Sequence, residues 1–342
     1  MDDTDKKLLS LMQAEVPIVA RPWARLGARL GIAEEEVMRR VQALKSTGVI
    51  RQISAIFDTR ALGYQSSLVA VRCDPLRVDA AAAVINEHPG VSHNYLRHHP
   101  YNLWYTIAVG PTSRLGLERT VEVLHALSGA QAFRLLPALH VFKIGVELDV
   151  EETDRTDAKA DIRFSERNRG PEEPLTEREK LYIREMQRDL PVELEPFTAI
   201  ARRLGVSLEQ LQLIGEAMLL VGKMRRYAAV LNHRRAGFTA NALGVWTVPG
   251  SDAEILAAGE KMAAFKAVSH CYRRPTYPDW PYNIFTMVHG RTTADCDAVL
   301  AGISRETGLT HYAALYSTRQ YKKTRVEYFS EAEADWEARH GA

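Results

Sequence analysis

The chain has 342 residues, of which 46% are hydrophobic and 25% charged, enough for two domains that each bury a core. Its 44 lysines and arginines balance 43 aspartates and glutamates, so a net charge of +1 provides no field that would draw it to nucleic acid or an anionic membrane. The three cysteines form no CxxC or zinc pattern, the N-terminus is acidic, and no apolar run reaches membrane-spanning length. We therefore expect a soluble, cytoplasmic protein.

The two halves of the chain repeat each other. The stretch that begins at Pro17 aligns with the stretch that begins at Pro191, and farther along His93 aligns with His270. The offset grows between these two pairs, so the second half carries small insertions. The repeat is far too long for a solenoid and indicates a duplicated or fused pair of homologous units, here called copy 1 and copy 2.

The first third of each copy has the pattern of three helices and a strand. In copy 1 the helices are predicted in "DKKLLSLMQ", in "PWARLGARLG" up to Gly31, and in "AEEEVMRRVQALKSTG" up to Gly48, where glycine can end a helix in the left-handed conformation. The strand follows in "VIRQISAIFD". This is the order of a winged helix-turn-helix. In copy 2, capping boxes mark two helix starts at Thr176…Glu179 and Ser207…Gln210.

The rest of each copy alternates differently. In copy 1, "SSLVAVRCD" is strand-like, "RVDAAAAVINEHPG" helical, "VSHNYLR" and "YNLWYTIAVG" strand-like, "GLERTVEVLHALSG" helical, and "RLLPALHVFKIGVEL" one last strand. This β-α-β-β-α-β order is ferredoxin-like. We therefore expect an α+β protein made of two tandem copies of a winged helix-turn-helix plus a ferredoxin-like domain. The copies should pair through their sheets as an intramolecular pseudo-dimer, and a further homodimer stays open.

A charged segment separates the copies. From Asp149 to Pro174, 14 of 26 residues are charged. The segment has too few apolar residues to fold alone. As a flexible chain it would span roughly 25–30 Å. A long solvated helix is the alternative. The predicted domains are the helix-turn-helix at 1–60 and ferredoxin-like domain at 61–150 in copy 1, the linker at 151–174, and the corresponding domains at 175–235 and 236–330 in copy 2.

The helix-turn-helix raises the hypothesis of DNA binding. A recognition helix reads bases through its first turn, which in copy 1 presents Glu34, Glu35 and Glu36, and in copy 2 Glu209 and Gln210. Carboxylates there oppose the phosphates, and the sequence shows no basic patch that could give duplex affinity. We therefore expect no specific DNA binding and interpret these domains as a scaffold.

The unusual residues lie in "VSHNYLRHHPYNLWYTIAVG" (91–110) and in "VSHCYRRPTYPDWPYNIFTMVHG" (268–290). Alternate residues of a strand share a face, so a histidine, a tyrosine and an arginine project together from each copy. Arginine binds carboxylates, tyrosine is a neutral donor, and histidine is a proton source or a metal ligand, which together suit a large anion. An ordinary polar sheet edge is the alternative. The residues on these faces are His93, Tyr95, Arg97 and His99 in copy 1 and His270, Tyr272 and Arg274 in copy 2.

The same stretches resemble the siroheme decarboxylase family, relatives of the Lrp/AsnC transcription factors, and the resemblance covers nearly the whole chain. "VSHNYLRHHPYNLWYTI" resembles one subunit type of that family and "VSHCYRRPTYPDWPYNIFTMVHG" the other, so the chain resembles a fusion of two subunits that form heterodimers elsewhere. The resemblance implies removal of carbon dioxide from two acetate side chains of siroheme. The product, didecarboxysiroheme, would enter an alternative heme pathway or supply the modified heme of a denitrifying nitrite reductase.

This resemblance turns the two clusters into site predictions. No organic cofactor is expected, and iron would be present only within the siroheme substrate. His270 and Tyr272 would donate protons, with His93 as a second donor or an axial ligand of the substrate iron. Arginine clamps and aromatic walls would hold the tetrapyrrole, both clusters forming one composite wall. The predicted binding residues are Arg97, Arg273, Arg274, Tyr95, His99, Tyr101, Asn102, Trp280, Tyr282 and Asn283; Arg273 would need a bulge to turn inward.

Two other functions fit the same fold. One is a heme- or tetrapyrrole-sensing regulator of the Lrp/AsnC type, and the other is an amino-acid-responsive repressor. Either regulator should keep basic residues on its recognition helix. An enzyme can lose them and enlarge its substrate pocket instead, as the extra "PTYPDWPYN" of copy 2 suggests. The sequence leaves open which copy carries the active site, although that longer loop favours copy 2.

Overall fold

The computed structural model describes residues 1–144, 174–231 and 240–341. Within these limits the chain divides into two units. Unit 1 contains the helix-turn-helix segments of both copies, and unit 2 contains the ferredoxin-like segments of both copies together with the last helix. The predicted linker, except for Pro174, lies outside the described residues. No described helix is long and apolar enough to span a membrane.

The elements follow one another in nearly the same order in both copies. The helices are α1 (Asp3–Ala14), α2 (Pro22–Leu30), α3 (Glu34–Ser46), α4 (Val78–Asn86), α5 (Gly116–Ser128), α6 (Glu177–Met186), α7 (Pro196–Arg203), α8 (Leu208–Leu220), α9 (Asp252–Ala263), α10 (Thr293–Thr307) and α11 (Ala332–His340). The strands are β1 (Ile50–Phe57), β2 (Gln65–Arg72), β3 (Val91–Arg97), β4 (Leu103–Val109), β5 (Ala132–Pro137), β6 (His140–Ile144), β7 (Met224–Leu231), β8 (Ala240–Trp246), β9 (Val268–Arg273), β10 (Ile284–Gly290) and β11 (Tyr312–Lys323).

The predicted helix ends in unit 1 are confirmed. Gly31 ends α2 at φ +69°, and Gly48 has the same φ just after α3, in the left-handed region that glycine tolerates. Both predicted capping boxes are present: Thr176 accepts from the N–H of Glu179 at the start of α6, and Ser207 starts α8 in the same way. Local sequence signals were sufficient here because each end depends on one or two residues.

The strand after the third helix pairs with the other copy. β1 of copy 1 and β7 of copy 2 form an antiparallel two-stranded sheet within unit 1. Side chains support this ribbon, since the indole of Trp23 donates to the carbonyl of Glu193 at 2.6 Å, and Gln52 donates to the carbonyl of Gln187 at 2.6 Å. The two helix-turn-helix segments are therefore one structural body.

The arginines of α3 form ion pairs with carboxylates. Glu36 accepts from Arg39 and from Arg40, each at 2.7 Å, and Arg40 also donates to Asp2 and Asp5 at 2.8 and 2.7 Å. A guanidinium that approached DNA would first have to give up these partners. The charges therefore stabilise the packing of α1 on α3 and leave little positive potential for phosphate.

One glutamate at the start of the expected recognition helix points into the protein. Glu34 is 9% exposed, pairs with Arg21 and accepts from the N–H of Ala24 at 3.2 Å. The prediction that three glutamates face outward was therefore wrong for Glu34, because a carboxylate at this position satisfies an unpaired N–H of α2. Glu35 stays exposed.

We predict that the chain does not bind duplex DNA specifically. At an ionic strength of about 0.15 M, fluorescence anisotropy with labelled duplexes should show no saturable binding below ~1 μM. The physical reason is the neutralisation of Arg39 and Arg40. Retardation of a defined operator at sub-micromolar protein that survives competitor DNA would contradict this expectation.

The described strands of unit 2 form one sheet of nine strands in the order β5-β2-β4-β3-β11-β8-β10-β9-β6. Copy 1 contributes β5-β2-β4-β3 and copy 2 contributes β11-β8-β10-β9, each in the antiparallel ferredoxin-like order. The two four-stranded parts share an apolar core, so they pack face to face. The predicted pseudo-dimer through the ferredoxin-like sheets is confirmed. The shared core contains Ala70, Tyr101, Trp104, Leu136, Leu243, Val245, Trp280, Phe285 and Leu315.

Each copy also lends a strand to the other. Strand β11 pairs with β8 of its own copy through Tyr312–Tyr316 and with β3 of copy 1 through Ser317–Lys323. The predicted last strand of copy 1 is in fact two strands: β5 pairs with β2, and β6 pairs with β9 of copy 2. The break follows Pro137, which lacks an N–H for a continuous ladder.

The exchanged strand β6 is anchored in copy 2. Phe142 is 4% exposed and lies in the helix-covered core of copy 2. A Cβ on Gly259 of α9 would lie 2.2 Å from Cζ of Phe142, so only glycine leaves room for this ring. Lys143 donates to the carbonyl of Phe265 at 2.8 Å. The close approach of α9 to β6 therefore fixes which strand copy 1 supplies.

Helix α11, which the sequence reading missed, closes the core of copy 1. Trp336 is 1% exposed and packs on the ring of His88 at 4.5 Å between centroids. Glu337 is buried and accepts from the hydroxyl of Ser113 and from the N–H of Arg114. The helix was missed because its few apolar residues give a weak helical pattern, and its buried carboxylate reads as a surface residue.

We predict that His88 makes unit 2 sensitive to mild acid. The side chain is fully buried, and burial, with a smaller contribution from Lys322, lowers its pKa to about 4. As pH falls from about 6.5 towards 4, the unfolded state binds a proton that the folded state refuses, so stability is lost in that window. Urea unfolding at pH 7 and pH 5 should differ by about 2 kcal/mol more in the wild type than in His88→Phe. Equal pH dependence in both proteins would contradict the prediction.

Candidate active site

The predicted row of copy 1 lies on β3. His93 and Tyr95 are partly exposed, and Arg97 is 5% exposed, all on the face that meets the other copy. Asn94, between them, points to the helices and donates to Asn86 at 2.9 Å. We call His93, Tyr95 and Arg97 row 1. Strand alternation, read from the sequence, therefore placed these three side chains correctly.

The row of copy 2 repeats this arrangement on β9. Its members, His270, Tyr272 and Arg274, are called row 2. In both rows the histidine and tyrosine rings lie 6.1 Å apart between centroids. A β-bulge precedes each histidine, at Ser92 in row 1 and at Ser269 in row 2.

The serine in each bulge holds the histidine. Ser92 Oγ lies 3.0 Å from Nδ1 of His93, and Ser269 Oγ lies 2.8 Å from Nδ1 of His270. A hydrogen bond at Nδ1 fixes the orientation of the ring and directs Nε2 away from the serine. The sequence motif Val-Ser-His in both copies carried this signal, but the serine was not recognised as part of the site.

The arginines of both rows cross to the opposite copy. Arg97 donates to the carbonyl of Leu315 on β11, and Arg274, 9% exposed, donates to the carbonyl of Leu136 on β5. Each guanidinium also lies over the tyrosine of its own row, at 5.7 Å in row 1 and 4.7 Å in row 2. Each row is thus a site built by both copies.

Arg97 is a buried cation with unused hydrogen-bonding capacity. Within the described residues its Nε has no hydrogen-bond partner and no carboxylate forms an ion pair with it. Burial lowers the pKa of Arg97 to about 10, so the side chain stays charged at neutral pH. A buried, uncompensated charge is costly, and a ligand carboxylate would supply the missing partner.

The two rows differ in what surrounds the histidine. His93 lies opposite Thr106 on β4 and Lys323 on β11, a polar and a cationic neighbour. His270 lies opposite two apolar residues, Met287 on β10 and Ile144 on β6. Residues directly opposite in an antiparallel pair share a face. Row 1 is therefore the more cationic surface, and row 2 is the less polar one.

Row 2 contains a second histidine that the sequence reading missed. His289 lies two residues after Met287 on β10, and its Nε2 is 2.8 Å from Ser269 Oγ. The equivalent position of copy 1 is Ala108, and Ser92 there instead contacts Thr106 Oγ1 at 2.8 Å. Alternation along "FTMVHG" could have placed His289 on the same face as His270.

Arg273 does not belong to the row. It donates to Asp252 at the start of α9 at 2.6 Å, on the helix-covered face of β9. The bulge in β9 lies at Ser269, before the histidine, and does not turn Arg273 inward. The structure therefore contradicts its assignment as a carboxylate clamp, since alternation directs it away from row 2.

The two predicted binding asparagines serve the backbone. Asn102 exchanges hydrogen bonds with the N–H and the carbonyl of Cys73 at 3.0 and 2.9 Å. Asn283 does the same with Val248, both at 2.9 Å. Their own carbonyls accept from the N–H of Arg97 and Arg274 respectively. Both side chains therefore hold the strand ends in place, and a role of either in binding substrate stays a prediction.

The extra residues of copy 2 fill a core. Trp280 is fully buried, with Trp104 and Tyr101 of copy 1 at 5.3 and 5.8 Å between centroids. Tyr101 is itself 3% exposed. The assignment of Trp280 and Tyr101 as substrate-binding walls is therefore wrong, because the inserted loop packs between the copies. Tyr282, also predicted, is partly buried between Trp280 and His311.

Polar contacts secure the inserted loop to copy 1. Asp279 accepts from Tyr101 at 2.7 Å and from Arg134 at 2.8 and 2.7 Å, and Tyr277 donates to the carbonyl of Leu135 at 2.6 Å. Hydrogen bonds from Arg134 and Tyr101 lower the pKa of Asp279 to about 2. The loop is thus a clamp between the copies.

His99 is also separated from row 1. Strand β3 ends at Arg97, where the turn begins, and His99 Nδ1 accepts from the N–H of Tyr101 at 3.0 Å. Its ring contacts Trp280 at 5.3 Å, and burial lowers its pKa. The extrapolation of strand alternation to His99 was therefore wrong, because the strand stops two residues earlier.

In the sheet, three strands separate the rows: β11, β8 and β10 lie between β3 and β9. The rows are related by the pseudo-symmetry of the copies. Each row combines with the last strand of the opposite copy, and the expectation that both rows form one wall around a single tetrapyrrole stays a prediction. A surface groove of about 290 Å³ beside α9 lies on the helix side of the sheet, away from both rows.

We predict that Trp280→Ala destabilises unit 2 by about 3–5 kcal/mol, because it removes a fully buried indole from the core shared by the copies. The control is Leu76→Ala, at a side chain that is 94% exposed, which should change stability by less than about 0.5 kcal/mol. Urea unfolding measures both. A Trp280→Ala protein of unchanged stability that no longer binds tetrapyrrole would restore the earlier assignment.

Comparison with known proteins defines the class first. The sequence matches the AsnC-like ligand binding domain twice, at residues 61–143 and 235–322, and the siroheme decarboxylase NirDL-like HTH domain at residues 5–51. The chain is therefore a tandem AsnC-like protein with a helix-turn-helix module.

Similar proteins then define the family. A siroheme decarboxylase of Hydrogenobacter thermophilus is 39% identical over 96% of both chains. A siroheme decarboxylase beta subunit of Methanosarcina barkeri is 45% identical and covers 41% of this chain and 91% of its own length. The crystal structure of the siroheme decarboxylase NirDL with an iron-uroporphyrin III analogue superposes with a TM-score of 0.75 at 34% identity, over 98% of this chain and 97% of that one. This chain belongs to the siroheme decarboxylase family, as a fusion of two subunit types.

Proposed function

We propose that this chain removes carbon dioxide from the two acetate side chains of siroheme and releases didecarboxysiroheme, a step of heme or modified-heme biosynthesis. Family membership supports the reaction. The observation in the geometry that carries it is Arg97, a buried guanidinium without a carboxylate partner among the described residues, beside His93 and Tyr95. A tetrapyrrole with a carboxylate rim supplies the charges that such a site lacks.

The chemistry requires a proton donor and an anion clamp. When a ring-attached acetate loses carbon dioxide, the macrocycle can take up the electron pair if a ring carbon is protonated. The exocyclic carbon then receives a proton and becomes a methyl group, and the ring carbon loses the proton it had gained, so each acetate takes up one proton in total. Histidine donates protons near neutral pH, and arginine stabilises rim carboxylates without moving a proton.

We assign proton delivery to row 2 and clamping to row 1. The residues opposite His270 are Met287 and Ile144, which carry no charge that would oppose its protonated form, and Tyr272 lies beside it. Row 1 holds Arg97 and has Lys323 opposite His93, which suits spectator carboxylates. Arg274 clamps a further carboxylate at row 2. His93 is an axial ligand of the substrate iron or a second donor.

The proposal requires no organic cofactor. The macrocycle is the electron sink, and iron enters only as part of the substrate. The two histidine rows support the absence of an organic cofactor from the proposal, because they supply the proton donors that the reaction needs.

The reaction class is tested by incubating purified protein with siroheme under anaerobic conditions and recording the mass spectrum of the tetrapyrrole. The proposal predicts loss of two carbon dioxide units. An unchanged tetrapyrrole, under reducing and non-reducing conditions alike, would falsify it and leave a tetrapyrrole-binding regulator as the remaining function.

We predict that substitutions of His270 and Arg274 change different kinetic constants. His270→Ala should lower kcat by about a hundredfold or more while siroheme binding is largely kept, because a general acid acts in the transition state. Arg274→Ala should chiefly weaken binding, since a clamp on a spectator carboxylate acts equally in ground and transition states.

The spectrum of bound siroheme tests His93. His93→Ala should shift the visible spectrum if His93 ligates iron and leave it unchanged if His93 donates protons. Full activity in both the His270 and the His93 variants would remove both histidines from the mechanism.

A further inference from the structure

The last strand of copy 2 is irregular where it lies beside row 1. Strand β11 pairs with β3 in a register that shifts twice, between Ser317 and Arg319 and between Gln320 and Lys322. Each shift adds one residue to β11, as in a β-bulge. The residues of β11 that lie opposite row 1 are therefore three positions apart instead of two. These pairs are Ser317 with Arg97, Gln320 with Tyr95, and Lys323 with His93.

The two shifts divide the side chains of β11 between the faces of the sheet. Residues directly opposite in an antiparallel pair share a face, so Gln320 and Lys323 lie on the face of row 1. Their basic neighbours turn to the helices instead. Arg319 donates to Asp79 of α4 at 2.7 Å, and Lys322 donates to a backbone carbonyl at the end of α4 at 2.7 Å. A regular strand places residues three apart on opposite faces, so alternation along "RQYKK" did not reveal this pair.

The equivalent positions beside row 2 are apolar. Strand β6 contains one such shift and places Val141 opposite the tyrosine and Ile144 opposite the histidine of row 2. Val141 is 7% exposed, whereas Gln320 is exposed and Lys323 is partly exposed. The same backbone arrangement therefore carries an amide and a cation beside row 1 and two hydrocarbon side chains beside row 2. Since the pairing is common to both rows, the fold itself does not require the polar pair.

We propose that Gln320 and Lys323 bind one propionate at the rim of the tetrapyrrole and thereby fix which edge of the macrocycle lies at row 1; this inference rests on the proposed function. The ammonium group of Lys323 supplies a charge and the amide of Gln320 a second donor, so the pair can hold both oxygens of one carboxylate. Their backbone positions are about 7 Å apart, the rise of two residues of β3, which two long side chains can bridge. The buried Arg97 is left for a second carboxylate.

The bound group is a propionate because the reaction consumes acetates and leaves every propionate in place. A clamp on a propionate keeps its ligand from siroheme to didecarboxysiroheme. The macrocycle therefore stays anchored at row 1 while an acetate reacts at row 2. Gln320 and Lys323 are thus binding residues, which contribute equally to the ground state and the transition state.

The test is an absorbance titration of the full-length protein with two porphyrins. Iron uroporphyrin carries acetates and propionates, and iron coproporphyrin carries propionates and methyl groups. Lys323→Met should weaken the binding of both by about tenfold, the contribution of one charge-assisted hydrogen bond. Lys323→Arg keeps the charge and should stay within about threefold of the wild type. Arg319→Met removes a cation from the other face of the same strand and is the matched control, with both affinities unchanged within about twofold.

Substitutions of Gln320 test whether its side chain faces a carboxylate. Gln320→Leu should weaken the binding of both porphyrins by about threefold, and Gln320→Glu, of the same size, by about tenfold or more, because its charge repels a carboxylate. Weaker binding of iron uroporphyrin alone in Lys323→Met would overturn the propionate assignment, and unchanged binding of both porphyrins would overturn the clamp. A wild type that binds neither porphyrin would overturn the proposed tetrapyrrole function itself.

Discussion

The arrangement of unit 2 depends on the exchange of last strands between the copies. Strand β6 leaves copy 1 to pair with β9, and the second half of β11 leaves copy 2 to pair with β3. The exchange covers the strand that carries each histidine row, so no row has an open backbone edge beside it. Arg97 and Arg274 also cross between the copies, to the carbonyls of Leu315 and Leu136 on strand segments that stay paired within their own copy, and these acceptors let both guanidinium groups be buried.

A symmetric framework with unequal surroundings explains why a fused chain is useful. Two identical rows would hold two equivalent sites, whereas the residues that surround the two histidines of this chain differ. The differences are few: Lys323 against Ile144, Thr106 against Met287, and Ala108 against His289. The inserted loop with Trp280 adds a second asymmetry, because it clamps only one end of the shared core.

The sequence predicted what depends on local pattern and missed what depends on the partner. Helix caps, the β-α-β-β-α-β order and the shared faces of rows 1 and 2 follow from residue spacing, and the structure agrees. The burial of Trp280, the separation of His99 and the turning of Glu34 towards Arg21 arise from contacts distant in sequence. His289 was not predicted as a site residue, because its contact with Ser269 depends on a β-bulge in the neighbouring strand.

The central claim is that row 2 carries the chemistry and row 1 holds the substrate. The most direct measurement is the structure of the full chain with siroheme bound under anaerobic, non-turnover conditions. The account predicts a reacting acetate within about 3.5 Å of His270 Nε2 and a spectator carboxylate on Arg97. An acetate placed at His93, with neither reacting group near His270, would contradict it.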